Sequence, residues 1–117
     1  MPDCYIGLMS GTSLDGIDGV IADFAPRAPR LLAHAHQPFT PALRTELAAL
    51  NHSGNHELQR SALAANELSR GYAAVVQALL AQASVNASAI AAIGCHGQTV
   101  RHQPADGYTL QLVNGSL

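Results

Sequence analysis

Lysine and tryptophan are both missing from the 117 residues. All six basic side chains are arginines (Arg27, Arg30, Arg44, Arg60, Arg70, Arg101), scattered along a chain of net charge −2. Nucleic-acid binding needs a clustered basic face that displaces counterions, so this composition argues against a nucleic-acid partner. Charged residues are also few, at 12% against 48% hydrophobic, the balance of a chain that buries much of its surface and not of a disordered segment. No apolar run approaches the ~20 residues that span a bilayer. The start, Met-Pro-Asp-Cys, lacks the basic region and apolar stretch of a secretory leader. Two cysteines, Cys4 and Cys95, have no metal or redox spacing and read as buried small hydrophobes. The expected setting is therefore a reducing cytoplasm, with no membrane contact.

Glycine is concentrated where it matters. Gly7 to Gly19 reads Gly-Leu-Met-Ser-Gly-Thr-Ser-Leu-Asp-Gly-Ile-Asp-Gly, with hydroxyls at Ser10, Thr12 and Ser13 and carboxylates at Asp15 and Asp18. Glycine admits a ligand close to the backbone, and successive free N–H groups make an anion-binding concavity. Asp15-Gly16 is also a strong signal for a two-residue hairpin turn. The better-known phosphate loops do not fit. Gly11 and Gly16 have Walker spacing, but Ile17 stands where the lysine must be, and no Gly-x-Gly-x-x-Gly occurs. Any phosphate here must be held by backbone N–H groups, hydroxyls and a metal ion.

Cys4 to Ser10 and Ile17 to Phe24 read as strands joined through Asp15-Gly16, and Arg30 to Phe39 as a third strand by its alternation. Thr40 can cap a helix with Pro41 at its first position, burying Leu43, Leu47 and Leu50. Asn55 can cap a longer helix whose apolar face runs Leu58, Ala62, Ala65, Leu68, Tyr72, Val76, Leu79, Ala83. Gly71 falls inside it, where a close packing contact would explain a glycine. After a polar break at Ser84 to Ser88, Ile90 to Cys95 is a continuous apolar run suited to a parallel strand covered on both faces. It leads into the polar cluster His96 to His102 at a strand's carboxyl end, where α/β sheets bind ligands. A turn at Pro104 to Gly107 and a last strand, Tyr108 to Val113, complete the order β-β-β-α-α-β-β.

Taken together, Gly7 to Asp18 and Ile93 to Pro104 resemble the two N-terminal motifs of the anhydro-N-acetylmuramic acid kinases, of the actin, heat-shock ATPase and sugar-kinase superfamily. The resemblance runs the length of the chain but covers only about the first third of such an enzyme. It implies an α/β, ribonuclease H-like, actin-type lobe with a mixed sheet, in which residues 1–117 form the N-terminal part of the first lobe and the second lobe is absent. It also implies ATP-dependent phosphorylation of 1,6-anhydro-N-acetylmuramic acid at O6 with hydrolytic opening of the anhydro ring. Gly11, Thr12, Ser13, Leu14, Asp15, Gly16, Ile17 and Asp18 would be the ATP-phosphate segment by this resemblance. Asp15 and Asp18 would hold Mg²⁺ through water, and the enzyme would be a homodimer. The family's general base lies beyond Leu117, so this chain alone is expected to be inactive.

His96, Gly97, Gln98 and Thr99 are the candidate sugar-facing residues, because they follow a buried strand. His34 and His36 share a strand face at metal-ligand spacing, but without an evident third ligand they read as solvated. His102 and Arg101 divide evenly between ligand and surface roles. The alternative from another class is a non-catalytic nucleotide-binding module that works by conformational switching; the His-Gly-Gln-Thr cluster favours the kinase. A histidine-dependent hydrolase lacks a nucleophile with an orienting acid.

Overall fold

The computed structural model describes residues 3–117. Strands β1 (Cys4–Ser10), β2 (Gly16–Asp23) and β3 (Arg30–Pro38) form an antiparallel meander, and β4 (Ile90–Cys95) pairs parallel with β1. The sheet order is β3-β2-β1-β4. Alternation sorts the side chains: Cys4, Ile6 and Leu8 of β1 and Ile17 and Ile21 of β2 turn to one buried face. Helices α1 (Pro41–Ala49) and α2 (Glu57–Ala83) bring Leu43, Leu47, Leu68, Val75 and Leu79 into the same core. Burial of this kind stabilises by roughly 25 cal/mol per Å² of apolar surface.

Helix α1 begins as its sequence dictates, with the Thr40 hydroxyl accepting from the Leu43 N–H at 3.2 Å and Pro41 at the first position. The start of α2 differs from the expected Asn55 cap. The cap is His56, in the left-handed region at φ 56°, and makes no side-chain cap bond. Glu57 instead reaches back to accept the Gly54 N–H at 2.8 Å, which closes the preceding loop without asparagine. The buried stripe on α2 is shorter than its periodicity suggests and slightly shifted. Ala64, Ala65, Leu68, Tyr72, Val75 and Leu79 are buried, Val76 and Ala83 only half-buried, and Leu58 (88% exposed) and Ala62 lie exposed. Gly71 meets its expectation: a Cβ there would lie 2.8 Å from Ile17 Cδ1.

Two further expectations change. The helices are followed by three strands instead of two: β5 (Gln98–Gln103), expected as a polar connection, pairs antiparallel with β6 (Tyr108–Leu112) in a separate two-stranded sheet. The polar composition of β5 hid it, since only Gln98 and Val100 point inward. And β4 is exposed from Ala91 to Cys95, not covered on both faces. Among the described residues the helices lie on one face only, with α2 against β2, β3 and β6. Cys95 is accordingly exposed, while Cys4 is buried as expected.

Ion pairs tie the hairpin and helices together. Arg101 on β5 donates to the Leu50 carbonyl at 3.1 Å and to Glu57 at 2.9 Å, and Arg60 pairs with Glu46. The Arg60 hydrogen bond lowers the Glu46 carboxyl, and the Gly54 N–H, then Arg101, lower Glu57, both from an ordinary value of 4.5. A carboxyl lowered in the folded state adds stability above its unfolded pKa, and that stability is lost as pH falls through the folded value. The Glu46→Gln/Glu57→Gln double variant should therefore show a flatter fall of melting temperature below pH 4.5 than the parent. Parallel curves would show that neither pair contributes.

Candidate functional site

Two connections leave the carboxyl ends of the parallel strands β1 and β4, the position where α/β sheets take ligands. The first spans residues 11–15 between β1 and β2. Its tight turn is not at Asp15-Gly16: the Leu14 N–H donates to the Gly11 carbonyl at 3.1 Å, so Thr12 and Ser13 occupy the tip. Leu14 takes φ 59° and buries its side chain in the core, anchoring the turn by packing. Gly16 is required for a different reason, because a Cβ there would run into the Gln37 carbonyl oxygen and lie 2.8 Å from Pro38 Cα. The Phe39 N–H holds the Asp15 carbonyl at 3.3 Å.

Thr12, Ser13, Asp15 and Asp18 are exposed, Gly11 is half-buried, and Leu14, Gly16 and Ile17 are buried. The segment thus alternates exposed groups with buried anchors. Ser13 Oγ donates to Asp15 Oδ2 at 3.2 Å. Asp18 points to the sheet face opposite the helices, across from Met9 on β1. There it meets the two β3 histidines: Asp18 Oδ1 is 2.9 Å from His36 Nδ1 and 3.5 Å from His34 Nε2. The histidines are solvated as expected, but spacing along one strand could not reveal a partner from β2. Among the described residues no three metal-ligating side chains gather into a metal-holding group.

The second connection, His96-Gly97, runs beside the first. The His96 N–H donates to the Leu8 carbonyl at 3.1 Å, and His96 Nδ1 lies 3.1 Å from the Gly97 carbonyl. A carbonyl only accepts, so this contact places a proton on Nδ1 and, in the neutral ring, leaves Nε2 an acceptor. His96 and Asp18 both line one open groove of about 400 Å³, together with Gly7, Met9, Val20 and Gly94. Gly97 is buried at φ 79°, where a Cβ would lie 2.8 Å from the Leu112 carbonyl. Gln98 is fully buried, and Thr99 is half-buried with its hydroxyl 3.1 Å from the Gln111 amide.

Ser10 and Tyr72 were not singled out by the sequence for this site. Ser10 Oγ lies 2.9 Å from the Tyr72 hydroxyl and donates to the Gly97 carbonyl at 3.3 Å. The signal was present, since Ser10 continues the core-facing series Cys4, Ile6, Leu8, and a hydroxyl on such a face must find a partner. Burial pushes the Tyr72 phenol up to about 12, which keeps it a neutral donor.

The mixed sheet with helices on one side, and the glycine- and hydroxyl-rich turn at the carboxyl end of β1, define an α/β protein of the actin-like ATPase superfamily. Residues 3–117 match the profile of anhydro-N-acetylmuramic acid kinase, and the chain belongs to that family. Proteins of that name from Albidiferax ferrireducens and Variovorax paradoxus are 60% and 57% identical over 100% and 98% of the chain. The one from Bordetella petrii is 62% identical over 92%. The chain spans 31%, 32% and 29% of these relatives' own lengths. No helix among the described residues is long and apolar enough to cross a membrane.

Proposed function

We propose that this chain is the phosphate-binding part of an enzyme that transfers the terminal phosphoryl group of ATP to O6 of 1,6-anhydro-N-acetylmuramic acid. Water adds its hydroxyl to the anomeric carbon, the bond from that carbon to O6 breaks, O6 takes the phosphoryl group, and ADP leaves. The product is N-acetylmuramic acid 6-phosphate, which places the enzyme in peptidoglycan recycling in the cytoplasm. The observation that carries this reading is the placing of the two motif segments side by side at the carboxyl ends of β1 and β4.

In this reading the Thr12 and Ser13 hydroxyls and free amides donate to phosphate oxygens, and residues 11–18 form the phosphate segment. Asp15 and Asp18 would act on Mg²⁺ through water, the ion being held mainly by phosphate oxygens and its own waters. When bound, ATP supplies the phosphoryl group and Mg²⁺ neutralises its charge; the chain's part is to position and donate. His96 Nε2 accepts from a sugar hydroxyl, and the base that takes the water's proton lies outside these residues. The enzyme works as a homodimer.

The test is a graft of this chain in place of the matching third of the Albidiferax ferrireducens relative, assayed for ADP with and without the anhydro sugar. ADP should appear only with the sugar, and His96→Ala should raise the sugar KM severalfold while nucleotide affinity holds, the loss of one hydrogen bond made by an exposed side chain. A folded graft that binds nucleotide yet forms no ADP would favour the non-catalytic nucleotide-binding module.

A further inference from the structure

We infer that Gln98 is a positioning residue for the phosphate turn, acting through the Gly11 carbonyl; this rests on the phosphate role proposed for that turn. Gln98 is 0% exposed, so in this arrangement it reaches a ligand only through what it holds. Its Nε2 donates to the Gly11 carbonyl and to the Thr99 carbonyl, each at 3.2 Å. The amide orientation is forced, because an oxygen at that position would face two other oxygens.

The Gly11 carbonyl therefore receives two donors, Gln98 Nε2 and the Leu14 N–H, which occupy both of its lone pairs. This turns the Gly11 carbonyl oxygen, which would repel a phosphate, into the protein. The Thr12 and Ser13 N–H groups have no acceptor among the described residues and remain available at the tip. A concavity of such amides is what binds anions.

A second bond runs the other way. Ser10 Oγ donates to the Gly97 carbonyl, so Ser10-Gly11 and Gly97-Gln98 clasp one another across a separation of 87 residues. Because its single proton goes to Gly97, the Ser10 hydroxyl accepts from Tyr72, which ties the clasp to α2. The sugar-side connection and the phosphate turn are thereby one unit. Gln98 Oε1 has no partner among the described residues. An apolar side chain of the same length would fill the space without leaving a buried acceptor unpaired, so what the glutamine adds is its donors.

The experiment compares Gln98→Met and Ser10→Ala with the parent graft. The readouts are ADP affinity by calorimetry, KM for each substrate, melting temperature and amide hydrogen exchange over residues 11–15. Gln98→Met should weaken ADP binding and raise the ATP KM about tenfold, the loss of one such bond. Sugar KM should stay within about twofold, and exchange at the turn should quicken more than in the rest of the sheet. Ser10→Ala should move the same readouts in the same direction. A raised sugar KM with ADP affinity unchanged would make Gln98 a sugar contact instead. A lowered melting temperature with unchanged turn exchange and ADP affinity would reduce it to a core residue; either result overturns the inference. Should the parent graft form no ADP, the kinase reading fails, and exchange at the turn still decides whether Gln98 holds it.

Discussion

Asp15→Asn is expected to cut sugar-dependent ADP formation by roughly a hundredfold or more while leaving the melting temperature almost unchanged. A metal ion at a transferring phosphoryl group is worth several kcal/mol, and each ~1.4 kcal/mol is a tenfold change in rate. On the metal role proposed for Asp15, removing its charge should lose a substantial part of that. The structural cost is small, because Asp15 is exposed and, among the described residues, its side chain accepts only the Ser13 hydroxyl, at 3.2 Å. Asparagine keeps an acceptor there, and exposed substitutions of this kind stay within about 0.5 kcal/mol. Asp18→Asn is the natural companion, since it would also remove the anion between His34 and His36. Full turnover in Asp15→Asn with loss in Asp18→Asn would move the metal role to β2, and full turnover in both would end it.

Gly16→Ala, one residue along, should behave in the opposite way. The added Cβ collides with the Gln37 carbonyl and crowds Pro38 Cα at 2.8 Å; both are backbone and cannot rotate aside. Backbone displacement and strain at φ 154° together should cost about 3 kcal/mol or more. The loss would be read as a melting temperature many degrees lower or as failure to recover folded graft. Activity should fall only in proportion to the folded fraction unless the turn itself is displaced. A loss under about 1 kcal/mol would mean that β3 can draw away from β2 at this point.

Adjacent residues with opposite expected phenotypes show how unevenly the site can be read from sequence. The motif Gly11 to Asp18 was identifiable because glycines, hydroxyls and carboxylates in such density have few other uses, yet the roles inside it were not. Asp15-Gly16 has the composition of a tight turn, but the turn closes at Gly11 to Leu14 because burying Leu14 outweighs the cost of its left-handed backbone. Gly16 serves the approach of β3, which no local pattern announces. The same holds for Gln98, whose polarity and neighbours suggested a ligand-facing position and whose burial makes it a strut.

The amino-acid sequence by itself determined the three-stranded opening, both helices, the Thr40 cap, the apolar fourth strand and the two motif segments. Each of these depends on periodicity, capping and turn chemistry, which act over a few residues and are written locally. Tertiary structure alone decided that Ser10 and Gln98 clasp partners 87 residues away, that Asp18 lies between two histidines of another strand, and that β5 leaves the main sheet for β6. Those outcomes depend on register and on which buried polar group finds which partner. Both are set by the packing of the whole core, not by any single stretch of chain.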